Sequence, residues 1–255
     1  MHGIFAVSAL HLVLSDHCYE NERQTLIETA ELHQSEAIEM YTKSVDQIVP
    51  LEPKASFALS SLLVGFAFAF PLAVNPAQQN EFSSLDELIE VFVLVRKMNN
   101  FSAPIMDIIQ ISELRGLLLV EKSQSIPSEF SQLAIKTLHE LLIATYPPGH
   151  NLFRAFTETI DCLGKLLGEV NGAVELTSRS YMWVYEVPTG FIECLREHTP
   201  LALVILAHYC VVLHRLRNHW WISSWAKRVL GVIVKTLNSD WTPSIACALN
   251  AIQEQ

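Results

Sequence analysis

Apolar residues along this chain recur at intervals of three and four rather than two, and that spacing predicts helices from one end to the other. Between residues 20 and 50, Leu26, Ala30, Ala37, Tyr41, Val45 and Ile48 fall near one face, with Glu28, Glu31, Glu36 and Lys43 off it, and Pro50 and Pro53 close the element. Ser84 and Glu87 have the spacing of a capping box ahead of Leu85, Leu88, Ile89, Phe92 and Val95, which predicts a helix starting at that serine. Prolines punctuate the remainder, because a first-turn residue has no amide partner to lose. Helices are expected to begin at Pro104, after Pro127, near His150, at Pro188 and at Pro200. Residues 200–225, PLALVILAHYCVVLHRLRNHWWISSW, read as a long buried helix, a short polar corner and a tryptophan-rich second helix. The polar or Pro-Gly breaks at Ser123 to Ser128 and Tyr146 to Gly149 are too short for interdomain linkers. The expectation is an all-α fold, a single globular multi-helix domain over residues 1–255.

Composition narrows the class. Half of the 255 residues are hydrophobic and only 17% are charged, which excludes a disordered chain and supplies enough apolar surface for a large core. The segment Phe57 to Val74 approaches the length of a membrane span. It carries Ser60, Ser61, Gly65 and Pro71 and closely follows Glu52 and Lys54, so a core helix and no membrane span is expected. The apolar residues 4–14 have no Lys or Arg before them, as a secretory signal requires. Five cysteines, odd in number and widely separated, fit reduced core thiols. A nuclear or cytoplasmic protein, not a secreted one, is expected. The net charge is −10, and Lys and Arg are scattered apart from Arg215, Arg217, Lys227 and Arg228, so no direct nucleic-acid binding by this chain is expected.

Familiar catalytic signatures are missing from the sequence: no aspartate-rich DDxxD metal motif, no G-x-S-x-G elbow, no phosphate-cradling glycine loop and no H-E-x-x-H helix. His208, Cys210, His214 and His219 form the nearest His/Cys cluster, but positions six apart lie on opposite sides of a helix. Neither a metal nor a cofactor is therefore expected. His208 admits two readings, a neutral core imidazole satisfied by its neighbours or a hydrogen-bond donor aimed at a ligand oxygen. Tyr209 and His11 admit the same pair, each a polar tip in an apolar helix. Trp220, Trp221 and Trp225 read as a stacking platform or as core packing. Trp221 and Trp225, four apart, are expected to share a helix face and pack.

Three blocks then fall into one ordered pattern: MHGIFAVSALHLVLSD, ELHQSEAIEMYTKSVDQIVPLEPKASFALSSLLVGFAFAF, and PLALVILAHYCVVLHRL with WWISSWAKRVLGVIV. Together with LDELIEVFVLVRKM and YEVPTGFIECLREHTPLAL, they resemble the C-terminal regulatory domain of fungal zinc-cluster transcription factors, nearest to the sterol uptake control protein type. The resemblance implies an all-helical domain that, in sterol-sensing members, holds a hydrophobic ligand among its C-terminal helices and controls a separate DNA-binding module. This sequence departs from the pattern twice. It contains no six-cysteine zinc cluster, opening inside what resembles the domain's first conserved helix, and SIACALNAI follows Trp241 and Pro243 where the family carries a tryptophan and proline.

The departures leave three readings. In the first, a sterol, terpenoid or other lipid-like molecule fills an apolar pocket and shifts the population between a closed and an activating conformation. In the second, a stand-alone enzyme of fungal secondary metabolism uses the same pocket for a cofactor-free cyclisation or (hetero-)Diels–Alder cycloaddition of a terpenoid or polyketide. Such a pericyclase acts by holding reactive ends in register and donating hydrogen bonds to a carbonyl that gains electron density. The third is a pure interaction domain forming a homodimer through apolar helix faces. Candidate donors are His208, Tyr209, His11 and Trp220, and candidate walls are Phe66, Phe70, Met182, Tyr209 and Leu213, chosen by residue type within apolar helices. Both small-molecule readings expect an apolar cavity of roughly 300 to 1,000 Å³ between the later helices.

Overall fold

A computed structural model describes residues 1–15, 18–46, 53–74, 83–102, 105–117, 127–168 and 173–253. These residues form α-helices and one short 3-10 turn, with no strand among them, so the fold is all-α. In chain order the helices are α1 (His2–Val13), α2 (Glu20–Asp46), α3 (Pro53–Val74), α4 (Ser83–Ser102), α5 (Met106–Gln110), α6 (Glu129–Thr145), α7 (Phe153–Gly168), α8 (Ala173–Glu186), α9 (Thr189–Arg196), α10 (Pro200–Arg215), α11 (Trp225–Thr236) and α12 (Thr242–Gln253). They group into two compact units. Residues 1–79 with 94–119 make the first, and residues 80–93 with 120–255 the second, so α4 supplies residues to both.

In the first unit small side chains set the packing. Gly3, Ala6 and Ala9 are buried on α1, which packs chiefly on α2, where Ala30 and Ala37 are buried. A methyl group placed on Gly3 would lie only 3.0 Å from the Leu59 side chain of α3, so this position holds α1 close to α3. Arg23 of α2 satisfies carbonyls at two helix ends: Nη1 donates to the Val13 carbonyl of α1 at 3.3 Å, and Nη2 to the Ala73 carbonyl of α3 at 2.6 Å. Lys54 and Glu113 form a forked ion pair at 2.8 and 2.9 Å, which holds the Glu113 carboxyl below its ordinary value. Helix α3 is long and apolar enough to cross a membrane, and 39% of its most apolar window is buried in the fold, so it is not clearly a span.

The second unit is built around α10, in which every residue from Leu201 to His214 is buried. An all-apolar circumference requires that environment, and the neighbouring helices supply it: α11, α12, α6, α7, α9 and α8 all touch α10. Pro200 sits in its first turn as expected, and α9 meets it at 102°. The corner is made by His198, whose φ of 53° places it in the left-handed region, and its Nε2 pairs with Asp86 of α4 at 2.8 Å. One turn along α4, Glu90 pairs with Arg196 at 2.7 Å, so an imidazole–carboxylate contact and an ion pair fasten this corner.

Some sequence expectations need correction. Helix α4 starts at Ser83, which puts Ser84 inside the first turn and not at the cap a capping box demands. Segment 216–224 consists of turns and α11 starts only at Trp225, so Trp220 and Trp221 precede the helix assigned to them. The expectations at Ile48, Pro50 and Pro104 lie outside the described residues.

Candidate functional site

The polar tips of α10 point to backbone. His208 is buried, with Nδ1 2.9 Å from the Val204 carbonyl one turn back. A carbonyl only accepts, so Nδ1 carries the proton and Nε2 is left as a lone pair in the neutral ring. Burial pushes the His208 pKa below its ordinary value, with the Val204 bond opposing, so the ring stays neutral and Nε2 is an acceptor. Tyr209 is also buried and its hydroxyl donates to the Ser180 carbonyl of α8 at 3.1 Å. Its ring stacks on Trp183 at 4.3 Å and meets Phe92 edge-on at 5.7 Å, and burial raises the phenol far above the usual tyrosine range. Ring contacts continue from Trp183 to Phe191 at 5.8 Å and from Phe191 to Phe156 at 6.1 Å. This is a close-packed aromatic core.

The other candidates are dispersed. Leu213 is buried on α10, whereas Met182 of α8 is 44% exposed. Phe66 and Phe70 stack on each other at 5.3 Å on α3, and His11 is exposed on α1. Those three residues belong to the first unit, and Met182, His208, Tyr209, Leu213 and Trp220 to the second. A groove of about 350 Å³ is lined by Leu12, Ser15, Cys18, Asn21, Glu22, Thr25 and Leu26, at the α1–α2 end of the first unit and not by the later helices. Among the described residues no group of three or more His, Cys, Asp or Glu side chains is placed to hold a metal.

A different set does converge. Thr177, Tyr181 and Tyr185 recur every four residues along one face of α8, and Thr177 and Tyr181 meet the turns at 216–224. There the Trp221 indole N–H donates to the Tyr181 hydroxyl at 3.0 Å, and His219 Nε2 lies 3.2 Å from the Thr177 hydroxyl. The rings of His219 and Trp221 are 5.0 Å apart, and Trp220 stands edge-on to Trp221 at 5.5 Å. Thr177, Tyr181, Tyr185, His219, Trp220 and Trp221 are all partly accessible. Burial pushes the Tyr181 phenol up to about 12, so it is a neutral hydroxyl throughout the physiological range, polarised by the indole donating into its oxygen. Tyr185 is also raised by burial.

Of this set the tryptophans were candidates from sequence, and His219 entered only as a member of the His/Cys cluster. The missed signal was the four-residue spacing of Thr177, Tyr181 and Tyr185 in the aromatic-dense segment TSRSYMWVYE. Chemically, the corner offers aromatic faces for stacking and hydrogen-bonding tips, among them the Thr177 hydroxyl beside the His219 imidazole.

No protein-family description, no curated protein and no solved structure matches this chain.

Proposed function

We propose that the chain is a regulatory domain that binds a hydrophobic, sterol- or terpenoid-like small molecule at the α8 and 216–224 corner, as in fungal zinc-cluster transcription factors. The observation that carries this reading is the convergence of a tyrosine, two tryptophans, a histidine and a threonine on one partly accessible surface, with Trp221 bonded to Tyr181 and His219 beside Thr177. Ligand sites combine mostly aromatic or aliphatic walls with a few polar groups that fix orientation, and this corner has both. Its backbone is turns rather than helix, with Ile222 and Ser223 amides both bonded to the His219 carbonyl, so a ligand displaces loop and not helix ladder. Tyr181 and His219 then recognise a hydroxyl or carbonyl while the indoles cover an apolar skeleton. The regulatory output is a shift in the population of the corner's conformations.

The second reading, a cofactor-free cyclase or pericyclase, is favoured by one specific feature. The Tyr181 hydroxyl is kept neutral by burial and receives the Trp221 N–H, which strengthens it as a donor to a carbonyl gaining negative charge in a cycloaddition.

Native mass spectrometry separates the readings. The chain is incubated with ergosterol and, separately, with an oxygenated sesquiterpene, and both complex and supernatant are analysed. Unchanged ligand retained at one per chain supports the regulatory domain, and a product of the same mass but new retention time supports the cyclase. Neither retention nor conversion removes both.

A further inference from the structure

The first unit carries a second inference, independent of the reading of the corner. We propose that His2 and His33, with Glu36, form a binding site for a divalent transition ion of the zinc and copper class.

His2 opens α1 and His33 lies in the middle of α2, and packing of the two helices brings their Nδ1 atoms to 3.0 Å. In the neutral pair one Nδ1 carries a hydrogen and the other accepts it. Moving that hydrogen from Nδ1 to Nε2 of the same ring leaves an unprotonated Nδ1 on each of two adjacent rings, with no net loss of a proton. Two imidazoles on one ion, each bonded at roughly 2.0 to 2.1 Å, have nitrogens separated by about 2.9 Å at a right angle and about 3.4 Å at the tetrahedral angle. The observed 3.0 Å lies inside that range. The folded helices therefore hold two ligands at chelating distance before any ion arrives.

Orientation is also set. The ring centroids of His2 and His33 are 5.1 Å apart at 62°, and Phe5 packs on His33 at 5.2 Å, which restricts rotation of that ring as supporting contacts do around metal-bound histidines. As the side chains stand, two ligands converge and not three. Glu36 is exposed and three residues beyond His33 on the same helix, so the two side chains are neighbours on one face. A rotamer change at Glu36 completes two imidazoles and a carboxylate, with water in the remaining positions. Imidazole suits zinc and copper and the carboxylate neutralises part of the charge, whereas calcium and magnesium prefer all-oxygen shells.

The test is titration of the full, tag-free chain with Cu²⁺, followed by electron paramagnetic resonance, with Zn²⁺ as competitor. One ion per chain with two imidazole nitrogens in its spectrum is expected, lowered at least tenfold in affinity by His33→Gln and several-fold by Glu36→Gln. His2→Gln, at the first residue of α1, provides the same loss with the least demand on the fold, and circular dichroism checks each variant. No bound copper, a spectrum without two imidazoles, or affinity that survives both His2→Gln and His33→Gln would overturn the site and leave the pair as an ordinary hydrogen bond.

Discussion

The buried tips of α10 and the accessible tips of the 216–224 corner use the same residue types to opposite ends. His208 and Tyr209 are locked to the backbone carbonyls of Val204 and Ser180, groups that cannot move without breaking a helix. Tyr181, His219 and Trp221 are bonded to other side chains, which can rotate. Both arrangements satisfy polar atoms, but only the second can be exchanged for a ligand at the cost of side-chain contacts alone. Residue type chose α10 as the functional helix. Partner type singles out the corner as the surface whose contacts can be exchanged.

The largest effect expected from this contrast is structural. Trp183→Ala removes an indole stacked on Tyr209 and met edge-on by Phe92 and Phe191, and chemical denaturation should show a loss of about 3–5 kcal/mol in unfolding free energy. Tyr209→Phe keeps the ring and strips the bond to Ser180, so about 1–3 kcal/mol should be lost with sterol affinity unaltered. A large change in affinity with little change in stability would move Tyr209 from the core into the site.

Trp221→Phe should do the reverse. It removes the donor to Tyr181 on an accessible surface, so stability should fall by less than about 1 kcal/mol while ligand affinity drops about tenfold, measured by fluorescence or calorimetric titration. Equal effects of Trp221→Phe and Tyr209→Phe on stability would erase the distinction between the two regions.

The smallest effect concerns pH. Burial depresses the folded pKa of His208 below its ordinary value of 6.5, so the unfolded chain takes up the proton first on acidification. Its contribution is therefore complete above about pH 6.5 and is lost as pH falls from there through the lower folded value. His214 is displaced in the same direction by burial and by the charges of Arg217 and Lys227. His208→Gln should flatten part of the decline in stability below about pH 6.5. An unchanged acid limb would mean His208 is not the neutral core imidazole described above.

How much of this was legible in the sequence depended on whether the signal was local. Helix α10 was readable because a run of apolar residues behind Pro200 leaves no polar face to solvate. The start of α6 was readable at Ser128, whose hydroxyl accepts the Ser131 amide at 3.1 Å. The tryptophan segment misled because four-residue spacing signifies a shared face only within a helix. Ser224, immediately before Trp225, was the available sign that α11 starts later. The corner itself joins α8 to residues about 40 positions further on, as Thr177 and His219 do, and periodicity carries no information about that pairing. The same holds for His2 and His33, brought together only because alanines on α1 and α2 let the two helices pack.

Hydrogen–deuterium exchange with and without saturating ergosterol tests the central claim most directly. The account predicts new protection confined to α8 and residues 216–224, with α10 already protected and unaltered. Protection that appears elsewhere with none at the corner, or no ligand-dependent change at any position, would contradict it.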